Sequence, residues 1–242
     1  MPVQPLETPP ALPWPTFETQ FLAHWKQGDH VLFSGPTGSG KTVAARTLVR
    51  HRDYVVVLGT KMRDKEMDEY IAEGYKRIYE WPPTYKQRRP DENGQVHLVL
   101  WPKITTREQL RSHRNQYAKC LDDCLVDGGW SIVSDETLWL SDRKGLDLGD
   151  QLGSIAYTGR SSKVTLLALL QRPSGIPRNI WSNCSSAFVW KSGVTTDLRE
   201  LATLGTYQSK ETEQAIRSLK PYEFMYLPTR ANAEWSVSKV DL

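Results

Sequence analysis

The 242-residue sequence predicts an α/β fold: a mostly parallel sheet flanked by helices on both faces, with a C-terminal β-hairpin. Three observations predict it. Apolar runs of strand length recur at His30–Ser34, Tyr54–Leu58, Trp130–Ser134 and Val164–Leu170; Tyr54–Leu58 is too uniformly apolar for a half-solvated sheet and suits a strand buried on both faces. Helix-compatible stretches separate them, the alternation that builds parallel sheets. A glycine-rich loop joins the first such run to a helical one.

The elements follow in order. Residues 1–15 carry six prolines (2, 5, 9, 10, 13 and 15) and read as an extended arm, leaving 16–242 as one folded unit. Thr16 is expected to cap a short helix whose apolar face is Phe17, Phe21, Leu22 and Trp25, ended by Gly28-Asp29. A charged helix is expected over roughly 63–73. The turn and breaker chemistry of 81–95 predicts a mobile excursion. Val96 to Trp101 reads as a strand, and Thr105 with Glu108 as the capping box of a helix running to about Val126, with Leu110, Tyr117, Leu121, Cys124 and Leu125 facing inward. Strands are placed near 130–134, 163–170 and 185–190, and helices near 147–158, 195–204 and 209–219. Glu223–Leu227, a turn around Arg230-Ala231-Asn232, and Glu234–Val240 predict the closing hairpin.

Composition sets outer limits. With 39% hydrophobic and 24% charged residues the chain reads as a soluble globular protein. A net charge of +3 is too small to argue nucleic-acid binding by itself. Three cysteines (Cys120, Cys124, Cys184) lack metal-ligand spacing and give no disulfide framework, which points to a reducing compartment and hence to the cytoplasm, a host's if the source is viral. No apolar run approaches a membrane span, so no membrane contact is expected.

The loop Gly35-Pro36-Thr37-Gly38-Ser39-Gly40-Lys41-Thr42 satisfies G-x-x-x-x-G-K-[ST] between a strand and a helix. Its glycines let the backbone approach phosphate closely. Consecutive N–H groups form an anion nest, and the next helix aims its positive end at the same charge. Lys41 can reach the β- and γ-phosphates, and the Thr42 hydroxyl can ligate Mg²⁺. Mg-ATP is the expected ligand.

A second centre follows the strand Trp130–Ser134, which ends in Asp135-Glu136. Ligands gather at the carboxyl ends of such strands. Asp135 would then hold Mg²⁺ in its outer shell, and Glu136 would orient the water attacking the γ-phosphate. The strand Val164–Leu170 delivers Gln171 to the same edge. Its amide can accept from water and donate to phosphate at once, or it can be an ordinary polar strand end.

Gly159-Arg160-Ser161-Ser162-Lys163, this strand, Gln171-Arg172-Pro173-Ser174, Ile176-Pro177 and Ile180-Trp181-Ser182-Asn183 together resemble the FtsK/HerA-type ATPases, P-loop motors with an additional strand and a catalytic glutamate. The likeness covers about 30–61 and 128–192 and is nearest to compact viral genome-packaging ATPases. It implies a RecA-like fold, with Lys41 and Thr42 as a Walker A pair, Asp135 and Glu136 as a Walker B pair, and Gln171 as sensor. It also implies a homo-oligomeric ring in which Arg160 reaches a neighbour's nucleotide, Arg172 being the second candidate. Two departures stand out: Gly59-Thr60-Lys61 lacks the carboxylate of the family's Asp-x-Lys, and no glycine separates the arginine segment from the sensor strand.

Residues 76–119 hold ten Lys/Arg against four Asp/Glu, with Tyr79, Trp81, Tyr85 and Trp101 interleaved. As a basic insertion this suits tracking of a double-stranded DNA backbone, with Lys86, Arg88 and Arg89 the first candidates; a solvated charge run beside core aromatics reads equally well. Two other function classes fit the phosphate loop: a nucleotide or small-molecule kinase with an arginine lid, and a nucleotide-dependent assembly factor that does not translocate.

Overall fold

A computed structural model describes residues 10–103, 105–202, 204, 209–229 and 235–240. Helix α1 (Trp14–His24) precedes strand β1 (Val31–Ser34), α2 (Lys41–Val49) and β2 (Tyr54–Leu58). Then come α3 (Lys65–Ala72), β3 (Lys76–Ile78), the single turn α4 (Tyr85–Arg88), β4 (Val96–Leu100), α5 (Arg107–Ser112) and α6 (Arg114–Asp127). The chain continues through β5 (Trp130–Ser134), α7 (Thr137–Ser141), α8 (Gly149–Thr158), β6 (Thr165–Leu170), α9 (Arg178–Ser182) and β7 (Ser186–Trp190). Helices α10 (Thr195–Ala202) and α11 (Ser209–Ser218) lead to β8 (Glu223–Pro228) and β9 (Ser236–Lys239).

The nine strands form one sheet in the order β3-β4-β2-β5-β6-β1-β7-β8-β9. Every pair from β3 to β7 is parallel, and β8 and β9 add an antiparallel hairpin. Strand β6 lies between β1 and β5, with Ser34 opposite Leu170 and Ser134 opposite Ala168. The carboxyl ends of these three strands therefore meet at one edge.

Both faces of the sheet are buried, which is why the strands carry no polar alternation. Val31, Phe33, Val55, Val57, Leu167 and Leu169 face one core; Leu32, Val56, Leu58, Leu166, Ala168 and Leu170 face the other. The first core is aromatic. Phe33 stacks on Phe188 at 4.7 Å between centroids, and Phe17 of α1 meets Phe224 at 5.1 Å and Phe188 at 5.5 Å. Such pairs add to the area they bury and fix α1 across β7 and β8.

The structure corrects several boundaries. Helix α1 starts at Trp14 with Pro13 at its N-cap, so the arm ends earlier than residue 15, because proline fits a first helical turn. Its last residues are also docked: Leu12 N donates to Val237 O at 2.8 Å and Ser238 Oγ to Leu12 O at 2.8 Å. Residues 1–9 and the hairpin turn at 230–234 lie outside the described residues.

The region 76–119 is built into the fold. Its β3 and β4 are strands of the main sheet. The expected excursion at 81–95 is tied down by a Thr84/Gln87 capping box and by Asp91 Oδ1, which accepts from Asn93 N and Gln95 N. The later cap is Thr106, accepting from Gln109 N, and the helix is interrupted at His113.

His30 enters β1 buried, with Nδ1 accepting from Leu166 N at 2.9 Å. Burial, and then the Arg160 charge, push its pKa down from 6.5 to about 4. The unfolded chain then binds the proton more tightly, so this group's contribution to stability is present above pH 6.5 and lost as pH falls towards 4. Urea unfolding should show about 2–3 kcal/mol less stability at pH 4.5 than at pH 7 from this residue. His30→Gln should flatten the profile by that amount; an identical profile in the variant would contradict the assignment.

Candidate functional site

The phosphate loop turns on two glycines in the left-handed region, Gly38 at φ 75° and Gly40 at φ 98°, the latter heading α2. A side chain is strained there. Gly35 is required for another reason: a Cβ would stand 2.6 Å from the Trp190 Cβ. Gly35 N donates to Leu170 O at 3.1 Å, stitching the loop to β6.

Lys41 Nζ donates to the carbonyls of Gly35 and Pro36, each at 2.8 Å, at the loop's mouth. Burial pushes its pKa down to about 8, against the pull of Asp135 and Glu136. Thr42 Oγ1 donates to Asp135 Oδ1 at 3.0 Å. The loop and the acidic pair, 93 residues apart in sequence, are thus in direct contact. Hydroxyl and carboxylate oxygens are the hard donors that a phosphate-borne Mg²⁺ takes, so Thr42 and Asp135 fit that ion.

The second oxygen of Asp135 accepts from Lys61 Nζ at 3.2 Å, and Lys61 also pairs with Asp64 at 3.3 Å. Asp64, buried, caps α3 by accepting from Glu66 N. Arg46 of α2 in turn binds three carboxylates of α3 and its C-cap: Glu69 at 2.6 Å, Glu73 at 2.8 Å and Glu66 at 3.5 Å. A closed circuit runs from α2 through Arg46, α3, Asp64, Lys61 and Asp135 back to Thr42. Asp64 was missed in the sequence. It supplies a carboxylate to Lys61 from three residues downstream, where the resemblance leads one to look upstream.

Glu136 heads α7, half-buried. Burial raises its carboxyl pKa, with Lys61 the strongest opposing charge. It lines a cavity of about 430 Å³ with Thr60, Lys61, Trp139 and Asp142. Gln171 follows β6 directly, exposed, and its amide has no hydrogen-bond partner among the described residues. Lys41, Thr42, Asp135, Glu136 and Gln171 therefore share the carboxyl edge.

Arg160 does not. It pairs with Asp29 at 3.1 Å just before β1, at the opposite edge, and its side chain is 67% exposed. Arg172 stands 4.0 Å from the buried Asp197 of α10. Arg88 and Arg89 also lie towards the amino edge: Arg88 approaches Asp127 at 3.9 Å and the Trp81 ring at 5.6 Å, and Lys76 donates to Arg89 O. Arg77, Arg111, Arg114 and Lys119 hold partners within the chain as well. Trp81 and Trp101 are core residues, whereas Tyr79 and Tyr85 are exposed. Lys86 is exposed too.

No protein-family model matches the chain, and no curated protein sequence matches it. Solved structures do. The genome packaging NTPase B204 from Sulfolobus turreted icosahedral virus 2, in complex with AMPPCP, superposes with a TM-score of 0.64 at 14% identity, covering 89% of this chain and 100% of that one. The chain has the fold of this NTPase. VirB4 of Thermoanaerobacter pseudethanolicus gives 0.60 at 11% identity over 88% of this chain and 89% of that one. The cytoplasmic domain of the Thermomonospora curvata Type VII secretion ATPase EccC gives 0.56 at 19% identity, over 90% of this chain and 26% of that one.

The Arg46 bridge makes a direct prediction. Arg46→Ala should cost about 2 kcal/mol in urea unfolding, since three carboxylates lose a charged partner. Arg46→Lys should recover less than half, because an ammonium cannot span them as a guanidinium fork does. Full recovery by lysine would show that the three-way bridge is not what holds α3.

Proposed function

We propose that the chain is a Mg-dependent ATPase of FtsK/HerA type, working as a homo-oligomeric ring in the cytoplasm to move double-stranded DNA, with viral genome packaging as the case in view. The observation that carries the reading is the 3.0 Å contact between Thr42 Oγ1 and Asp135 Oδ1, with Glu136 beside it. It joins a phosphate-binding loop to an acidic pair at one sheet edge. The packaging role rests on the shared fold and on the viral neighbour, which is analogy.

In this reading the backbone N–H groups of Gly38 to Thr42 cradle the phosphates, with the α2 N-terminus behind them. Lys41 leaves the loop carbonyls for the β- and γ-phosphate oxygens. Thr42 and Asp135 hold the ion, which supplies positive charge at those oxygens. Glu136 orients a water in line with the γ-phosphorus and takes its proton as the bond to the β-phosphate oxygen breaks, giving ADP and phosphate. Gln171, placed by β6 between the loop and the acids, contacts the γ-phosphate or the water. Arg160, exposed on the far edge, is available to a neighbour's site and not to its own. Lys86, Arg88 and Arg89 are the proposed DNA contacts.

Steady-state ATP hydrolysis with and without duplex DNA tests this. Wild type should hydrolyse ATP faster with DNA. Glu136→Gln should lower kcat about 100-fold or more while still binding nucleotide, the usual scale for losing a general base. The cavity beside Glu136 has room for an acceptor, so phosphate transfer to a small molecule in place of release to water would support a kinase and overturn the motor reading.

A further inference from the structure

Beyond the phosphate loop a second pocket opens, about 310 Å³, bounded on one side by Pro36, Thr37, Gly38 and Ser39 and on the other by Trp190, Lys191 and the Lys220–Glu223 turn. We infer that this pocket takes the nucleoside half of the nucleotide, with the Tyr222 ring as the stacking surface for the base. The inference rests on the ATP-binding reading above and extends it to a region of the chain that carries no phosphate motif.

Three observations support it. The pocket is continuous with the loop and has the volume that small-ligand sites use. Tyr222 is 40% exposed, yet its backbone sits at φ 66°, in the left-handed region. A bulky residue there is unfavourable and persists only where its surroundings fix it. They do so here: Glu223 N donates to Lys220 O at 3.1 Å, Lys220 N to Glu223 Oε2 at 2.8 Å, and Val240 N to Tyr222 O at 3.3 Å. The fold thus holds an aromatic ring on the pocket wall at a position where glycine would be cheaper. Trp190, on the same side of the pocket as Tyr222, packs against Gly35 of the phosphate loop, so the pocket and the loop share one support. Lys191 and Lys220 line the pocket beside Glu223, a lining whose two cations suit the α-phosphate.

Stacking reads a base's flat face and little else. The site should therefore accept purine nucleotides with weak discrimination, ATP and GTP binding within about threefold of each other.

Calorimetry with Mg-ATP, Mg-GTP and Mg-tripolyphosphate on wild type, Tyr222→Gly and Tyr222→Phe tests the inference. Glycine suits φ 66°, so that variant should fold at least as well as wild type. It should bind ATP about tenfold or more weakly, the lower part of the range for a lost stacking platform, and tripolyphosphate as wild type does. Tyr222→Phe should stay close to wild type. ATP affinity unchanged in Tyr222→Gly overturns the inference, as does an equal loss for tripolyphosphate, which would place Tyr222 behind the loop and not under the base. A wild type that binds neither ligand overturns the phosphate-loop reading itself.

Discussion

The structure depends on the register of three parallel strands. Because β6 is threaded between β1 and β5, the ends of all three fall at one edge, with Ser34 beside Leu170 and Ser134 beside Ala168. Everything chemical follows from that alignment. The loop after β1 is bonded to the last carbonyl of β6, the acids after β5 reach the first turn of α2, and Gln171 emerges between them. The apolar character of the strands, buried on both faces, makes this register hard to slip, since a one-residue shift would exchange the residues of the two cores.

Around the edge, charge is gathered and balanced at close range. Two lysines and three carboxylates (Lys41, Lys61, Asp64, Asp135, Glu136) converge, and burial opposes ionisation of Lys41, Lys61, Asp64 and Glu136. Isolated, such groups would be costly. Here each is set against an opposite charge, and Lys61 bridges two carboxylates directly. The same arrangement explains why α3 is bound so firmly to α2 through Arg46. Helix α3 carries Asp64 at its cap, so a shift of the helix would move the partner of Lys61 and, through it, Asp135. Arg160 shows the opposite design, an exposed cation on a buried Asp29, held but accessible.

Much of this was legible in the residues. Apolar runs of strand length located β1, β2, β4, β5, β6 and β7 to within about two residues, and the loop motif located α2. What escaped had local signals that pointed elsewhere. Strand β3 is only three residues, Lys-Arg-Ile, with no alternation to read. The breaker-rich 81–95 reads as loose, yet side-chain caps from Thr84 and Asp91 order it, a local chemistry that composition hides. The basic excess over 76–119 reads as one uniform charged surface because pairing is invisible in sequence. Arg111 and Arg114 in fact clamp the carbonyls of Lys144 and Asp147. Likewise the role of Asp64 and the posture of Tyr222 arise from contacts across the fold, with no spacing to announce them.

The most direct measurement is a crystal structure of the chain with a non-hydrolysable ATP analogue and Mg²⁺. The account predicts metal density about 2.1 Å from Thr42 Oγ1, with Asp135 in its outer shell, Glu136 facing the γ-phosphate, and the triphosphate lying along Gly35–Thr42. Triphosphate bound away from that loop, or a metal remote from both Thr42 and Asp135, would contradict it.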